Sequence, residues 1–449
     1  MKRTGCIVAA ALLLGLLLAG ITGYFIWHSG QDKYVRAEMV GASGGVGMAG
    51  GEAPDPEEAG GAGTNGKGPQ GAGIGENGQG GTGTGGITNP DSAQGADGPD
   101  AMDGGLSANP SDAKEQGHGT GTADEDSPLQ FVFAGDILLS DHVLNAYQKA
   151  GNIGGVVDSG FRQVIDGGDI FMANEEFPFS RRGTAAADKQ FTFRLPPEKV
   201  SMFQELGIDI VTLANNHALD FGTDALVDTC STLDDAGILR VGAGANLEEA
   251  KKPVFMEAKG RRIGFLGASR VIPEGSWNAT SKGPGMLTTY DPSLLLEEIR
   301  KAREACDYLV VYVHWGIERD ERPQGYQRTL GQQYIDAGAD LVVGSHPHVM
   351  QGLEYYKGKP IVYSLGNFVF GSSIPNTALL KVEWDGEDAL LRLVPGTSSG
   401  GYTRMLTDEG EKAGFYQYIT SISYGVTVGE DGIVVPGEEN AAGLEESGT

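Results

Sequence analysis

The stretch Leu341-Val342-Val343-Gly344-Ser345-His346-Pro347-His348 decides how this chain is read. Three branched apolar residues predict a buried strand, a Gly-Ser turn ends it, and two histidines two positions apart follow. In extended backbone, residues i and i+2 point to the same side. Pro347 fixes its own φ and favours extended geometry at His346. The expectation is two imidazoles held side by side at the carboxyl end of a strand, where α/β folds place their chemistry. A polar turn after a core strand would leave the same local pattern, so the choice falls to the other histidines.

The chain has 7 histidines. His28 closes an N-terminal apolar run and His118 lies in a Gly-rich segment. His142 fits no motif and is assigned to the surface or a helix start. His217 follows the apolar run 210–214, and His314 follows 309–313. Two more such runs end in acids: 131–134 in Gly135-Asp136, and 169–173 in Asn174-Glu175-Glu176. Five predicted strands thus end in residue types that ligate metal. Nitrogen and carboxylate oxygen together suit Zn, Mn or Fe. Buried carboxylates and imidazoles need partners, and a cation would partner all of them, so the pattern predicts a metal site.

Outward from that centre, the N-terminus is basic at Lys2 and Arg3, and residues 7–27 carry no charge. A helix of that length spans about 30 Å, enough for a bilayer core. The basic residues predict a cytoplasmic stub at 1–6 and an outward-facing remainder, a single-pass protein of the cell membrane. A cleaved signal peptide is the rival reading, although no small-x-small site closes the run.

Residues 28–127 predict a disordered, Gly-rich acidic linker. Of the 72 glycines, 27 fall between Gly41 and Gly121, and no aromatic occurs between Tyr34 and Phe131. Such composition does not bury enough apolar surface to offset ordering entropy. A tether of this length reaches roughly 50–60 Å on average.

Residues 128–428 read as one α/β domain, in which strands alternate with helical periodicity. Helices are expected at 141–150, 196–206, 223–236, 292–304 and 326–337. Hairpins are expected around 259–261, 357–359 and 385–386. Residues 429–449 predict a disordered acidic tail. Of the 3 cysteines, Cys230 and Cys306 read as buried thiols in no disulfide framework.

Gly135-Asp136, Asn174-Glu175-Glu176, Ala214-Asn215-Asn216-His217, His314-Trp315-Gly316, Gly344-Ser345-His346-Pro347-His348 and Tyr363-Ser364-Leu365-Gly366-Asn367-Phe368 follow one another in this order. That series resembles the bacterial capsule synthesis family, the CapA/PgsA type linked to poly-γ-glutamate. The resemblance implies a calcineurin-like metallophosphoesterase domain, a two-sheet β-sandwich flanked by helices with one or two divalent metals at the strand ends. It implies Asp136, Glu176, Asn216, His314, His346 and His348 as metal ligands, with Glu176 bridging. It implies catalytic roles for His217, Asp136 and Asn216, and supporting or pocket roles for Asn174, Asn215, Trp315 and Asn367. Phosphoesterases of this kind usually carry a histidine two residues after the first aspartate, where this chain has Leu138. Glu175 stands where the family commonly has an apolar residue, and alternation would turn it away from the site.

Two functions follow as expectations. One is metal-dependent hydrolysis of a phosphoester or related bond in a phosphorylated or cell-envelope substrate. The other is a non-catalytic escort or scaffold for poly-γ-glutamate, working with membrane synthase subunits around a vestigial site. A net charge of −27 repels a polyanion, so Arg181, Arg182, Lys251, Lys252, Arg261 and Arg262 are candidates for a local counter-patch. The same charge argues against nucleic acid as a partner. No phosphate-loop motif and no Gly-x-Ser-x-Gly elbow is present, which argues against an ATP motor and a serine hydrolase.

Overall fold

The computed structural model describes residues 127–437. The expected stub, membrane span and nearly all of the linker lie outside the described residues, as does the end of the tail. Among the described residues, no helix is long and apolar enough to cross a membrane.

The strands run, in chain order, β1 (Leu129–Ile137), β2 (Ile170–Glu175), β3 (Ile210–Thr212), β4 (Leu239–Val241), β5 (Ala243–Gly244), β6 (Val254–Ala258), β7 (Arg261–Ser269), β8 (Gly285–Met286) and β9 (Tyr308–His314). They continue as β10 (Leu341–Ser345), β11 (Met350–Tyr356), β12 (Lys359–Leu365), β13 (Asn367–Val369), β14 (Ser373–Trp384), β15 (Ala389–Ser399), β16 (Tyr402–Met405), β17 (Val426–Val428) and β18 (Ile433–Pro436). One sheet has the order β17-β18-β15-β14-β1-β2-β3-β4, with β13 on β1 and β16 on β15; the other has the order β11-β12-β10-β9-β7-β6.

The two sheets pack face to face. Phe131, Phe133, Ile170 and Met172 of the first meet Phe265, Val310, Tyr312 and Val343 of the second. The outer face of the first sheet carries Val132, Phe171 and Val211 against Phe203, Leu226 and Leu233. The latter three come from helices Ser201–Leu206 and Thr223–Ala236. The outer face of the second is covered from helices Ser293–Arg303 and Gly325–Ala337, where Leu295, Ile299 and Tyr334 pack on Leu309, Val311 and Val342. The α/β class and the layered sandwich are therefore as expected.

Strands β1 to β4 run parallel in one sheet, and β7, β9, β10 and β12 run parallel in the other. In each sheet the loops that follow these strands gather at one edge, and every motif above lies in or beside such a loop.

The expected helices and hairpins all form, with ends shifted by a few residues. Helices Ser159–Asp166 and Glu409–Ile422 were not legible in the sequence. The second carries Gly410 and Gly414 and little periodicity; its start is set by the N-cap Asp408, whose carboxylate accepts from the Glu411 N–H. Nor does order stop at Val428. Val434 is buried opposite Leu391, so β18 extends the sheet beyond β15 and β17 forms its edge.

A bulge in β1 positions the first motif. Phe133 pairs with Met172 and Asp136 with Asn174, so one extra residue sits on β1. The extra residue reverses the side-chain parity. Phe133 faces the inter-sheet core, yet Ile137 faces the outer layer, and Asp136 is turned inward between them. The Tyr312 hydroxyl donates to the Ala134 carbonyl across the sandwich at 2.8 Å. At Gly135 the backbone approaches closely, and a Cβ would lie 1.8 Å from the Gly366 carbonyl oxygen. Gly135→Ala is expected to destabilise the domain by about 2 kcal/mol or more through overpacking and to weaken metal uptake with it. Denaturant unfolding and a metal-binding isotherm check both effects; an unchanged midpoint would show that the strands have room to part.

Candidate metal centre

Strand parity aims most of the site. In β2, Ile170 and Met172 face the inter-sheet core while Phe171 and Ala173 face outward. Asn174 therefore points in and Glu175 out. In β9, Tyr308, Val310 and Tyr312 face in, and His314 continues that row. Trp315 falls on the other row, in the outer layer, where its indole N–H donates to the Tyr363 carbonyl at 2.8 Å. Trp315 is a core residue under the turn, not a wall of the pocket.

The His-Pro-His turn differs from its expected extended form. His346 has φ 103° and His348 has φ 58°, both in territory that non-glycine residues rarely occupy. The strand stops at Ser345, so the two imidazoles are aimed by a strained turn. Their ring centres still lie 6.0 Å apart, but they serve different partners.

Glu176, His314 and His346 form one group whose ligand atoms all lie within 4.8 Å of one another; Asp136, Glu176 and His348 form a second on the same criterion. Glu176 belongs to both. It is fully buried, and neither of its oxygens has a hydrogen-bond partner; the same holds for Nδ1 of the buried His346. Orphaned carboxylate oxygens facing imidazole nitrogens fit a divalent cation. Asn216 joins the first group, with Oδ1 2.8 Å from His314 Nε2. His314 Nδ1, 3.1 Å from the Ser345 hydroxyl, is left to carry the ring proton when Nε2 ligates.

Asn174, Asn215 and Asn367 lie in hydrogen-bond contact with residues of the ligand groups or of the turns that carry them. Asn174 donates to Asp136 Oδ1 at 2.8 Å. Asn215 donates to Asn174 Oδ1 at 3.0 Å and to the Glu175 carbonyl at 2.7 Å. Asn367 Oδ1 lies 2.8 Å from His348 Nδ1. His142 is exposed on helix Asp141–Ala150, away from these contacts. Glu175 is buried on the outer face, its carboxylate without a partner and its pKa pushed well up by burial.

His217 does not join either ligand group. Its Nδ1 lies 2.7 Å from Asp220 Oδ2 and 2.9 Å from Lys189 Nζ, and its ring packs 4.6 Å from that of Phe193. Asp220 is fully buried and also accepts from Lys189 and from the Phe193 N–H. Sequence reading missed Asp220 and Lys189. Asp220 stands three residues after His217 in one turn, a spacing that could have flagged it. Lys189 comes from an irregular loop that offers no periodic signal.

Electrostatics divides the imidazoles. Burial drives the His346 pKa down to about 3 and that of His314 well below its ordinary value, so both present lone pairs at neutral pH. Burial also opposes charge on His348, but the carboxylates of Glu176 and Asp136 outweigh it and raise its pKa to about 10. Burial lowers His217 too, against the pull of Asp220. Cys230 and Cys306 are free thiols, and burial pushes Cys230 up to about 12, which leaves it inert.

The expected counter-patch does not gather. Arg181 pairs with Glu198, Arg182 with Asp224 and Asp228, Lys251 with Glu248 and Glu298, and Arg262 with Glu257. Arg261 donates to the backbone at Trp384 and Asp385.

The family described as bacterial capsule synthesis protein PGA_cap matches residues 130–372. The chain belongs to that family. The matched span begins in β1 and ends beyond Asn367, so it contains every residue of the centre. A capsule biosynthesis protein CapA of Bacillus anthracis is 33% identical over 310 residues, covering 66% of this chain and 74% of its own length. A PGA biosynthesis protein CapA of Bacillus subtilis is 35% identical over 250 residues, covering 55% of this chain and 64% of its own. Among solved structures, sulfate thiohydrolase SoxB of Thermus thermophilus aligns at a TM-score of 0.35 and 13% identity, over 60% of this chain and 56% of that one.

His348 has to give up its proton before a ring nitrogen ligates, and burial and the Asp136 carboxylate push Glu176 up as well, so metal uptake by the chelated capsule family protein is expected to release at least one proton near pH 7. Affinity should rise with pH until the His348 pKa, about 10, is passed. Calorimetric titration in two buffers of different ionisation enthalpy counts the protons; zero release contradicts this charge assignment.

Proposed function

We propose that this family member is a membrane-anchored, outward-facing hydrolase of the metallophosphoesterase kind, acting in the synthesis or export of a poly-γ-glutamate-type capsule. One observation carries the reading: Glu176, fully buried and without a hydrogen bond to either oxygen, is shared by two groups of metal-ligating side chains. The substrate is a phosphorylated or cell-envelope compound, or the polymer itself, with membrane synthase subunits as partners. The names of the Bacillus relatives, capsule and PGA biosynthesis proteins, support the setting. The charge-free run at 7–27 and the basic residues before it support the anchor.

Asp136, Glu176, Asn216, His314, His346 and His348 would hold one or two divalent cations, with Mn, Zn or Fe suited to the mixed donor set. Such a cation supplies Lewis-acid polarisation of a substrate oxygen and acidifies water. The chain's own residues do the rest. Asp220 holds His217 through Nδ1, which leaves Nε2 free to take up a proton from solvent and then pass it to the departing oxygen. Phe193 shields one face of that ring from water. Asn174 and Asn215 brace Asp136 and the turn that carries Asn216 and His217.

A second reading, polymer escort without turnover, is favoured by Leu138. It is buried in the outer apolar layer, so the Asp136 group gains no further nitrogen from β1.

Elemental analysis of the purified protein is expected to find divalent metal, and a chromogenic phosphodiester is expected to be turned over. His217→Ala should lower kcat by about 10²–10⁴ with metal content unchanged. A metal-free wild type with no activity would sink the hydrolase reading. In cells, the double variant His346→Ala, His348→Ala is expected to stop polymer export; intact export would favour the escort.

A further inference from the structure

On the far side of β9 from the ligand groups, three buried polar atoms lack hydrogen-bond partners: Arg270 Nη1, Thr289 Oγ1 and Tyr334 Oη. Thr289 and Tyr334 are 1% and 0% exposed, so their hydroxyls are cut off from bulk water. The three are neighbours. The Thr289 N–H donates to the Ser269 carbonyl at 2.8 Å, which sets Thr289 beside Arg270. The Tyr334 phenol is pushed up by burial and pulled back by the Thr289 hydroxyl, which faces it without the geometry of a full hydrogen bond, and by the Arg270 charge.

Arg270 differs from the arginines held in tight ion pairs. Arg182, Arg303 and Arg328 are tied to Asp228, Asp340 and Glu354. Among the described residues, no carboxylate pairs with Arg270. Its guanidinium instead lies 3.8 Å from the ring centre of Tyr290 and 5.3 Å from that of Tyr326. Stacking of this kind orders the guanidinium while leaving its N–H groups for a planar or tetrahedral anion.

The clamp is tied to the metal centre through the backbone. The Arg270 N–H donates to the His314 carbonyl at 2.7 Å. The Gly316 N–H donates to the Tyr326 hydroxyl at 2.8 Å, in the turn after His314. Tyr290 is 41% exposed, so one side of the clamp is open to solvent.

We propose that Arg270, Thr289 and Tyr334 form a binding site for an oxyanion, a carboxylate or phosphate group, next to the metal centre. A guanidinium N–H and two hydroxyls supply three donors to it, and a charge-assisted bond makes the guanidinium the strongest. The site gives a protein of net charge −27 a local cation for an anionic ligand. Its role as the subsite for a second anionic group of the substrate rests on the hydrolase reading above; its capacity to bind an oxyanion does not.

The test uses the full chain purified in detergent and stripped of metal, so that the ligand groups do not capture the anion. Inorganic phosphate and a γ-glutamyl trimer are titrated separately by calorimetry, which separates the two sources of the oxyanion. Wild type is expected to bind at least one of them. Arg270→Gln should weaken that binding about tenfold or more, and Thr289→Val, close to isosteric, should weaken it several-fold. His346→Ala should leave it unchanged. A wild type that binds neither probe overturns the proposal, as does equal affinity in a folded Arg270→Gln protein. Loss of binding in His346→Ala alone would move the anion to the metal centre and overturn it too. A metal-free, inactive wild type that still binds through Arg270 would reject the hydrolase reading and keep the oxyanion site.

Discussion

Glu176 sets the terms for the rest of the domain. A carboxylate with no exposure and no hydrogen-bond donor holds its charge only if positive charge is brought to it. Asp136 stands beside it, also fully buried, and adds repulsion. The fold answers by directing three imidazoles at the pair. His314 and His346 arrive neutral, as ligands, and His348 carries a proton in the carboxylates' field. A centre of this kind is costly as a purely structural device, because unpaired buried charge destabilises by several kcal/mol. Its donor set, carboxylate oxygens facing imidazole nitrogens, is of the kind that suits a divalent cation.

Two different devices deliver the side chains. Regular alternation in β2 and β9 aims Asn174 and His314 inward with no special conformation. Irregular backbone aims Asp136, His346 and His348. The bulge in β1 flips the parity ahead of Asp136, and positive φ angles swing both histidines of the His-Pro-His turn. Strain concentrated at these points matches the view that conformational cost gathers where a site needs it. The close approach of Gly135 to Gly366, and the Tyr312 hydroxyl on the Ala134 carbonyl, hold the irregular segment in place.

Charge is handled on two scales. Over the whole chain, acid predominates, and the described basic residues are mostly spent on local ion pairs. Near the centre, Lys189 is enclosed by Asp220, His217 and the Asn216 carbonyl, while Arg270 is stacked on tyrosine rings with an N–H donor to spare. Two of the described cations, Lys189 and Arg270, thus stand close to the turns that carry His217 and His314.

Much of this was legible in the chain itself. Apolar runs ending in Asp, Glu or His marked β1, β2, β3, β9 and β10, because buried parallel strands read as continuous hydrophobic segments. Period-two alternation turned Glu175 away from the site, and six ordered motifs carried the family. What the sequence did not disclose was whatever depends on contacts between distant segments. The bulge before Asp136 has no local signal, since it exists only relative to β2. Trp315 sits in a motif yet packs in the core, because its row of β9 faces the helices. Asp220 and Lys189 meet His217 only after a loop folds over it. Local periodicity determined which residues form strands and which way they face; only packing of the two sheets decided which of those residues share a pocket, because that rests on distances between chain segments far apart in sequence.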